Sequence, residues 1–109
     1  MTDKIVVMSA CDSEEQAASL ARHLVEKRLA ACVSIIPGAR SFYHWKGAIE
    51  DDAEWLLLIK SRRDLFSALR AEIGKMHTYE IPELLALPVV EGSEGYLAWL
   101  DRELPRGDE

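Results

Sequence analysis

The stretch RLAACVSIIPGARSFYHWKGAIEDDAEWLLLIKSRR, from Arg28 to Arg63, decides the fold of this chain. Its apolar pattern predicts two long strands, over residues 31–46 and 54–62, joined by a polar turn over residues 46–53. The Pro37–Gly38 pair interrupts the first strand. Because proline cannot donate a hydrogen bond to a neighbouring strand, this pair indicates a bulge or bend, not the end of the strand.

Two elements are predicted before this hairpin. Residues 4–10 form a short β-branched run that is typical of a strand. Asp12 and Ser13 are each followed three residues later by an acidic or amide side chain, which is the pattern of a capped helix start. The amphipathic helix that begins there is expected to end near Arg28.

Three further elements are predicted after the hairpin: a helix capped by Asp64, a strand over residues 83–90 and a last helix from Ser93. Pro88 indicates that the last strand lies at an edge or carries a bulge. The order β-α-β-β-α-β plus a C-terminal helix predicts an α+β, ferredoxin-like fold, with a four-stranded antiparallel sheet and two helices on one face. We expect a single domain over residues 1–109.

The composition of the chain limits the classes of function that it can have. The chain has 109 residues, 49% hydrophobic and 29% charged, with a net charge of −6. An acidic chain with scattered basic residues argues against a nucleic-acid partner. No apolar run is long enough to span a membrane, and the N-terminus lacks a signal-peptide pattern. Cys11 and Cys32 are therefore expected to be reduced thiols in the cytoplasm.

The length of the hairpin predicts association. A strand of about 14 residues spans about 46 Å, whereas a helix of about 16 residues is only about 24 Å long. Two helices cannot cover such a hairpin, so a monomer would expose the aromatic side chains of its far half, Phe42, Tyr43, Trp45 and Trp55. We therefore expect a homo-oligomer, formed through strand edges or the uncovered sheet face.

Long ordered motifs in this chain resemble the CutA family of divalent-cation tolerance proteins. They are the AAC, IPG and YHW motifs of the hairpin, the block HTYEIPELLALPV at residues 77–89, and YLAWL at residues 96–100. The resemblance implies a homotrimer similar in shape to PII-type signalling trimers. It also implies a link to copper and other divalent metals without an established enzymatic reaction.

Four side chains are candidate ligands for copper or another divalent metal, since thiolate and imidazole suit such ions: Cys11, Cys32, His44 and His77. Their spacing matches no preformed metal motif. The predicted topology places Cys11 and His77 at one end of the sheet and Cys32 at the other. Cys32 and His77 match family positions, whereas Ser9 occupies the position of the family's metal-linked cysteine. The candidate metal ligands are therefore Cys32, His77 and Cys11, with adjacent subunits needed to bring them together.

A small-molecule cleft between subunits is a second candidate. His77, Tyr79 and Glu83 lie close together in one predicted loop, and Lys60 adds a cation at the end of a strand. Tyr43 and Trp45 of the hairpin are suited to form apolar walls. Alternatively, Tyr79 simply fixes the loop and the aromatic residues form the core of the trimer.

Catalysis is not expected. The densest carboxylate cluster, at residues 50–54, falls in the predicted solvated turn, and neither cysteine has a histidine nearby in the sequence. Three classes of function remain. They are a metal-responsive or metal-binding protein, a small-ligand signalling trimer of the PII type, and a structural or partner-binding trimer.

Overall fold

A computed structural model describes residues 1–105, so the last four residues of the predicted domain lie outside the described part. The described residues form four strands and three helices in the predicted order. These are β1 (Lys4–Cys11), α1 (Glu14–Glu26), β2 (Cys32–Trp45), β3 (Ala48–Arg62), α2 (Phe66–Met76), β4 (Leu85–Pro88) and α3 (Glu94–Glu103).

The strands form one sheet in the order β2-β3-β1-β4, and every neighbouring pair is antiparallel. This order with two crossover helices is the split βαβ arrangement, so the predicted α+β fold is confirmed. β4 is an edge strand, as Pro88 indicated. It is half as long as predicted, because only Leu85–Pro88 pair with β1.

The core lies between one face of the sheet and the helices α1 and α2. Ser13 caps α1, since its hydroxyl accepts a hydrogen bond from the Gln16 N–H at 3.1 Å. The side chains that fill the core are fully or almost fully buried: Ile5, Val7, Cys11, Ala17, Leu20, Leu24, Leu57, Ile59, Leu69 and Ile73. This layer of side chains, between the sheet and the two helices, fixes the end of the hairpin that lies nearest the core.

The predicted turn over residues 46–53 is wrong, because β3 begins at Ala48. The chain reverses in two residues, Lys46 and Gly47, whose φ angles of 49° and 83° are both left-handed. Two consecutive left-handed residues match the right-handed twist of the strands and make a tight hairpin. The acidic residues therefore lie on a strand, where Arg40 binds Asp51 through two hydrogen bonds of 2.9 and 2.8 Å.

The predicted bulge in β2 is confirmed. Pairing with β3 shifts between Ile36 and Ala39, and Gly38 has a φ of 84°. Beyond the bulge most residues of the hairpin are exposed, and the extents of the chain are 46 × 26 × 21 Å. The radius of gyration is 14.7 Å, compared with about 13 Å for a compact domain of this length.

The helix α3 lies against the sheet face opposite to α1 and α2, and Arg62 anchors it. Arg62 is 1% exposed, and its guanidinium donates hydrogen bonds to the carbonyl oxygens of Leu104 and Pro105 at 3.3 and 2.5 Å. Asp64 was predicted to cap α2, but its carboxylate accepts a hydrogen bond from Arg62 at 2.6 Å. A short 3₁₀ turn leads into α2 instead.

The rest of that second face is apolar and only partly covered. Alternation along the strands places seven apolar side chains there, all half-buried or exposed: Val6, Met8, Ile36, Leu56, Leu58, Leu85 and Leu87. We call this set the open face. Among residues 1–105, no helix has both the length and the apolar character needed to cross a membrane.

Replacing Arg62 tests how α3 is held. Arg62→Lys keeps the charge but cannot reach both carbonyl oxygens, so we expect the free energy of unfolding to fall by about 2 to 3 kcal/mol. Urea denaturation measures the loss. The control is Arg22→Lys, because the Arg22 side chain is 82% exposed. Equal stability of the two variants would contradict an anchoring role for Arg62.

Candidate ligand groove

A groove of about 820 Å³ separates the far half of the hairpin from the loop that joins α2 to β4. It is lined from the hairpin by Ser41, Phe42, Tyr43, Trp45, Glu50 and Glu54, and from the loop by Thr78, Tyr79, Glu80, Ile81, Pro82 and Glu83. Its volume lies within the range of small-molecule sites. We refer to this cavity as the groove.

The hairpin side of the groove is aromatic. Tyr43 is 40% exposed and Trp45 is half-buried. The Tyr43 hydroxyl donates a hydrogen bond to the Asp52 carboxylate, which raises the pKa of Tyr43 to about 12. The Lys46 ammonium lies 5.7 Å from the centre of the Trp45 ring and 3.9 Å from the Glu80 carboxylate. Aromatic faces and carboxylates are therefore combined along this wall.

A partly buried hydrogen bond joins the two sides of the groove. The Tyr79 hydroxyl donates to Glu54 Oε2 at 2.7 Å, and Glu54 is only 7% exposed. Burial and this hydrogen bond raise the pKa of Tyr79. Because a buried carboxylate is costly without a donor, this contact holds the loop against β3.

His77 fixes the same loop to β1. Its Nδ1 accepts a hydrogen bond from the Tyr79 N–H at 3.0 Å, and its Nε2 lies 2.6 Å from the Ala10 carbonyl oxygen. Accepting at Nδ1 and donating at Nε2 is the neutral imidazole with its proton on Nε2. Its ring also contacts the Tyr79 ring, with centres 4.7 Å apart. Both nitrogens are occupied, so the histidine has a clear local structural role.

The two thiols lie at opposite ends of the sheet, as the topology predicted. Cys11 is fully buried 3.9 Å from His77 Nε2, and burial raises the pKa of Cys11 to about 11. Cys11 pairs with Trp55 and Cys32 with Lys60, which separates the thiols by about 17 Å along β3. They are both free cysteines.

Lys60 lies with Cys32 and not in the groove. Its ammonium is 3.8 Å from Cys32 Sγ and 2.7 Å from Ser34 Oγ. Within residues 1–105, no three His, Cys, Asp or Glu side chains are grouped closely enough to hold a metal ion. In a single subunit, the predicted ligands Cys11 and His77 are adjacent, whereas Cys32 is remote.

Four of the six predicted cleft residues line the groove: Tyr43, Trp45, Tyr79 and Glu83. His77 lies directly behind it, and Lys60 is outside it. Glu50 and Glu54 also line the groove, although Glu50 was predicted to lie in the turn over residues 46–53 and Glu54 at the start of the second strand. Their two-residue spacing with Asp52 is a strand signal that would have placed all three on one face.

The comparisons with known proteins point to one family. The family model described as CutA1 divalent ion tolerance protein matches residues 5–103. The divalent-cation tolerance protein CutA of Thermus thermophilus is 46% identical over 95 residues, which are 87% of this chain and 92% of that protein. Protein CutA of Mus musculus is 48% identical over 90 residues, 83% of this chain but 51% of that protein, so this chain spans about half of that relative's length. The crystal structure of CutA from Xylella fastidiosa has a TM-score of 0.93 at 38% identity, covering 95% of this chain and 100% of that one.

Replacing Tyr79 tests the contact across the groove. Tyr79→Phe leaves Glu54 buried without its donor, so we expect the free energy of unfolding to fall by about 1 to 3 kcal/mol at neutral pH. Since the folded pKa of Tyr79 is raised, its contribution is complete below the unfolded pKa of about 10 and declines above it. When denaturation is measured from pH 7 to 11, the difference in the free energy of unfolding between wild type and Tyr79→Phe should therefore become smaller above pH 10. A difference between wild type and Tyr79→Phe that does not change with pH would contradict the assignment.

Proposed function

This chain belongs to the CutA1 family of divalent ion tolerance proteins, and from that membership we propose a role in divalent-cation tolerance or response. In this proposal the protein acts as a homotrimer that binds copper, another divalent metal or a small ligand, and it catalyses no reaction. The observation that carries the proposal is the uncovered apolar surface of the open face and of the far hairpin.

The uncovered surface supports assembly. Leu85 and Leu87 are 59% and 45% exposed on the edge strand β4, and Phe42 and Ile49 are 62% and 67% exposed on the hairpin. Soluble monomers rarely leave such apolar surface on two adjoining regions. A trimer in which each hairpin reaches a neighbouring subunit covers both regions and is consistent with the PII-like shape that the resemblance implies.

Direct metal binding is the first candidate activity. Cys32 is half-buried at the start of the edge strand β2, where a neighbouring subunit can approach it. A site that joins Cys32 of one subunit to His77 and Cys11 of another supplies the thiolate and imidazole ligands that copper prefers. Binding there requires His77 to give up its hydrogen bond to Ala10. It also requires Cys11 to lose a proton that burial retains.

Small-ligand binding is the second candidate, and the groove favours it. Its volume of about 820 Å³, its aromatic wall and its few polar groups are typical of small-molecule sites. In a trimer of the PII type, such a groove beside the hairpin would lie near a subunit boundary. Metal tolerance would then be indirect, through a ligand-dependent change in the partners that the trimer binds.

A cytoplasmic location belongs to the same proposal. Cys11 and Cys32 are free, and their separation prevents a disulfide within the chain. Reduced thiols are the normal state of cysteine in that compartment.

Assembly through the open face is tested by light scattering. The wild-type chain, of 12.3 kDa, should have about three times that mass in solution. Leu85→Glu places a charge on the open face and should shift the mass to the monomer, because each subunit loses about 1.5–3 kcal/mol of leucine burial. Val25→Glu, on the outer surface of α1 where Val25 is 42% exposed, is the control. A monomeric wild-type protein would contradict the proposal.

Copper titration tests the metal candidate. With the reduced protein and Cu(I) competed against a chelator, Cys32→Ser and the double variant Cys32→Ser, His77→Ala should lose affinity by about tenfold or more. His44→Ala removes an exposed imidazole outside the proposed set and should bind as wild type does. If wild type and all three variants bind copper equally weakly, the specific metal site is contradicted and the small-ligand candidate remains.

A further inference from the structure

We propose that the groove binds a linear polyamine, with ammonium groups at separate carboxylates and methylene segments on the aromatic wall. This inference rests on the small-ligand candidate above and names the class of ligand. It depends on three features of the groove: the sign of its charge, the spacing of its carboxylates, and a cation that the chain itself already places there.

The charge of the groove selects a cation. Its lining includes Glu50, Glu54, Glu80 and Glu83 but no lysine or arginine. Glu54 is engaged by Tyr79, which leaves Glu50, Glu83 and, in competition with Lys46, Glu80 for a ligand. A concave surface of one sign raises the local concentration of ligands of the opposite sign. Anionic ligands such as nucleotides and phosphates are therefore disfavoured.

The spacing of the carboxylates favours an extended cation over a metal ion. They come from two elements, β3 and the loop, and within residues 1–105 no three acidic, His or Cys side chains group closely enough to hold a metal. A metal ion needs several ligands within its coordination sphere. A chain with several ammonium groups instead meets each carboxylate at a different point, so separation is an advantage.

The aromatic wall suits the apolar segments of such a chain. Tyr43 and Trp45 present ring surface to the groove opposite Pro82. Methylene groups gain from burial against these rings, and an ammonium within about 6 Å of a ring centre gains a cation–π attraction. A small inorganic cation would use none of this surface.

Lys46 provides an internal example of the proposed contact. Its ammonium lies 5.7 Å from the centre of the Trp45 ring and 3.9 Å from a Glu80 oxygen. A lysine side chain is a primary ammonium on a four-carbon stem, which is close in structure to the end of a polyamine. The Lys46 ammonium therefore contacts two of the residues that line the groove, Trp45 and Glu80, and should compete with the ligand for them.

Because of this competition, removing the Lys46 charge should increase the affinity for the ligand. With spermidine as the probe, calorimetric titration of the full chain at 0.15 M salt should show saturable binding by wild type. Lys46→Gln should bind about threefold to tenfold more tightly, because the competing ammonium is removed. Lys27→Gln makes the same change of net charge at an exposed position outside the groove and should match wild type.

Removing groove carboxylates should act in the opposite direction. The double variant Glu50→Gln, Glu83→Gln should weaken spermidine binding by about tenfold or more. Its control, Glu14→Gln, Glu15→Gln, removes two exposed carboxylates from the start of α1 and should leave affinity unchanged. Light scattering and thermal melts on every variant establish that assembly and folding are intact.

Three results would overturn the proposal: no saturable spermidine binding by wild type, equal weakening in the two glutamine double variants, or no gain from Lys46→Gln. Magnesium chloride at matched ionic strength should not displace spermidine. Full displacement would show that spermidine is held only by general charge attraction, which would also contradict the proposal. A negative result here leaves the trimer and copper tests untouched, since those use the open face and Cys32. The two proposals can therefore fail separately.

Discussion

The pairing of β2 with β3 is the constraint on which the rest of this structure depends. A two-residue left-handed turn at Lys46–Gly47 closes the hairpin, and twelve residue pairs from Cys32–Lys60 to Trp45–Ala48 hold it together. Its base is covered by α1 and α2, but the helices end long before the strands do. The far half of the hairpin supplies both an exposed apolar surface and one wall of the groove.

The loop between α2 and β4 turns that exposed hairpin into a groove. His77 uses both ring nitrogens to tie the loop to Ala10 and to Tyr79, and Tyr79 donates to the buried Glu54 on β3. Two of these three hydrogen bonds tie the loop to the strands β1 and β3, and the third lies within the loop. A histidine and a tyrosine that look like ligands in the sequence thus act first as supports, and they leave the neighbouring carboxylates and rings to face the cavity.

The charges of the chain are divided in a way that matches this organisation. The buried cations Lys4 and Arg62 are paired with aspartates at the end of the sheet where α3 packs. Lys60 lies beside Cys32 near the same end. The groove, at the other end, is lined by glutamates. Four glutamates therefore line the groove in which we propose that a cationic ligand binds, whereas the buried cations Lys4 and Arg62 lie at the opposite end of the sheet.

The sequence by itself determined the order of the elements, the bulge at Pro37–Gly38, the edge position of β4 and the excess length of the hairpin. These features depend on local stereochemistry and hydrophobic periodicity, which the residues carry wherever they lie. It also predicted Tyr43, Trp45, Tyr79 and Glu83 as parts of one cleft between subunits, and all four line a groove within a single subunit. Only the tertiary structure decided that Glu50 and Glu54 belong to the groove, because acidic residues on an exposed strand have the composition of a turn until their cross-strand partners are known. The fixed tautomer of His77 and the place of Lys60 beside Cys32 likewise depend on contacts between residues distant in the chain, which no local pattern encodes.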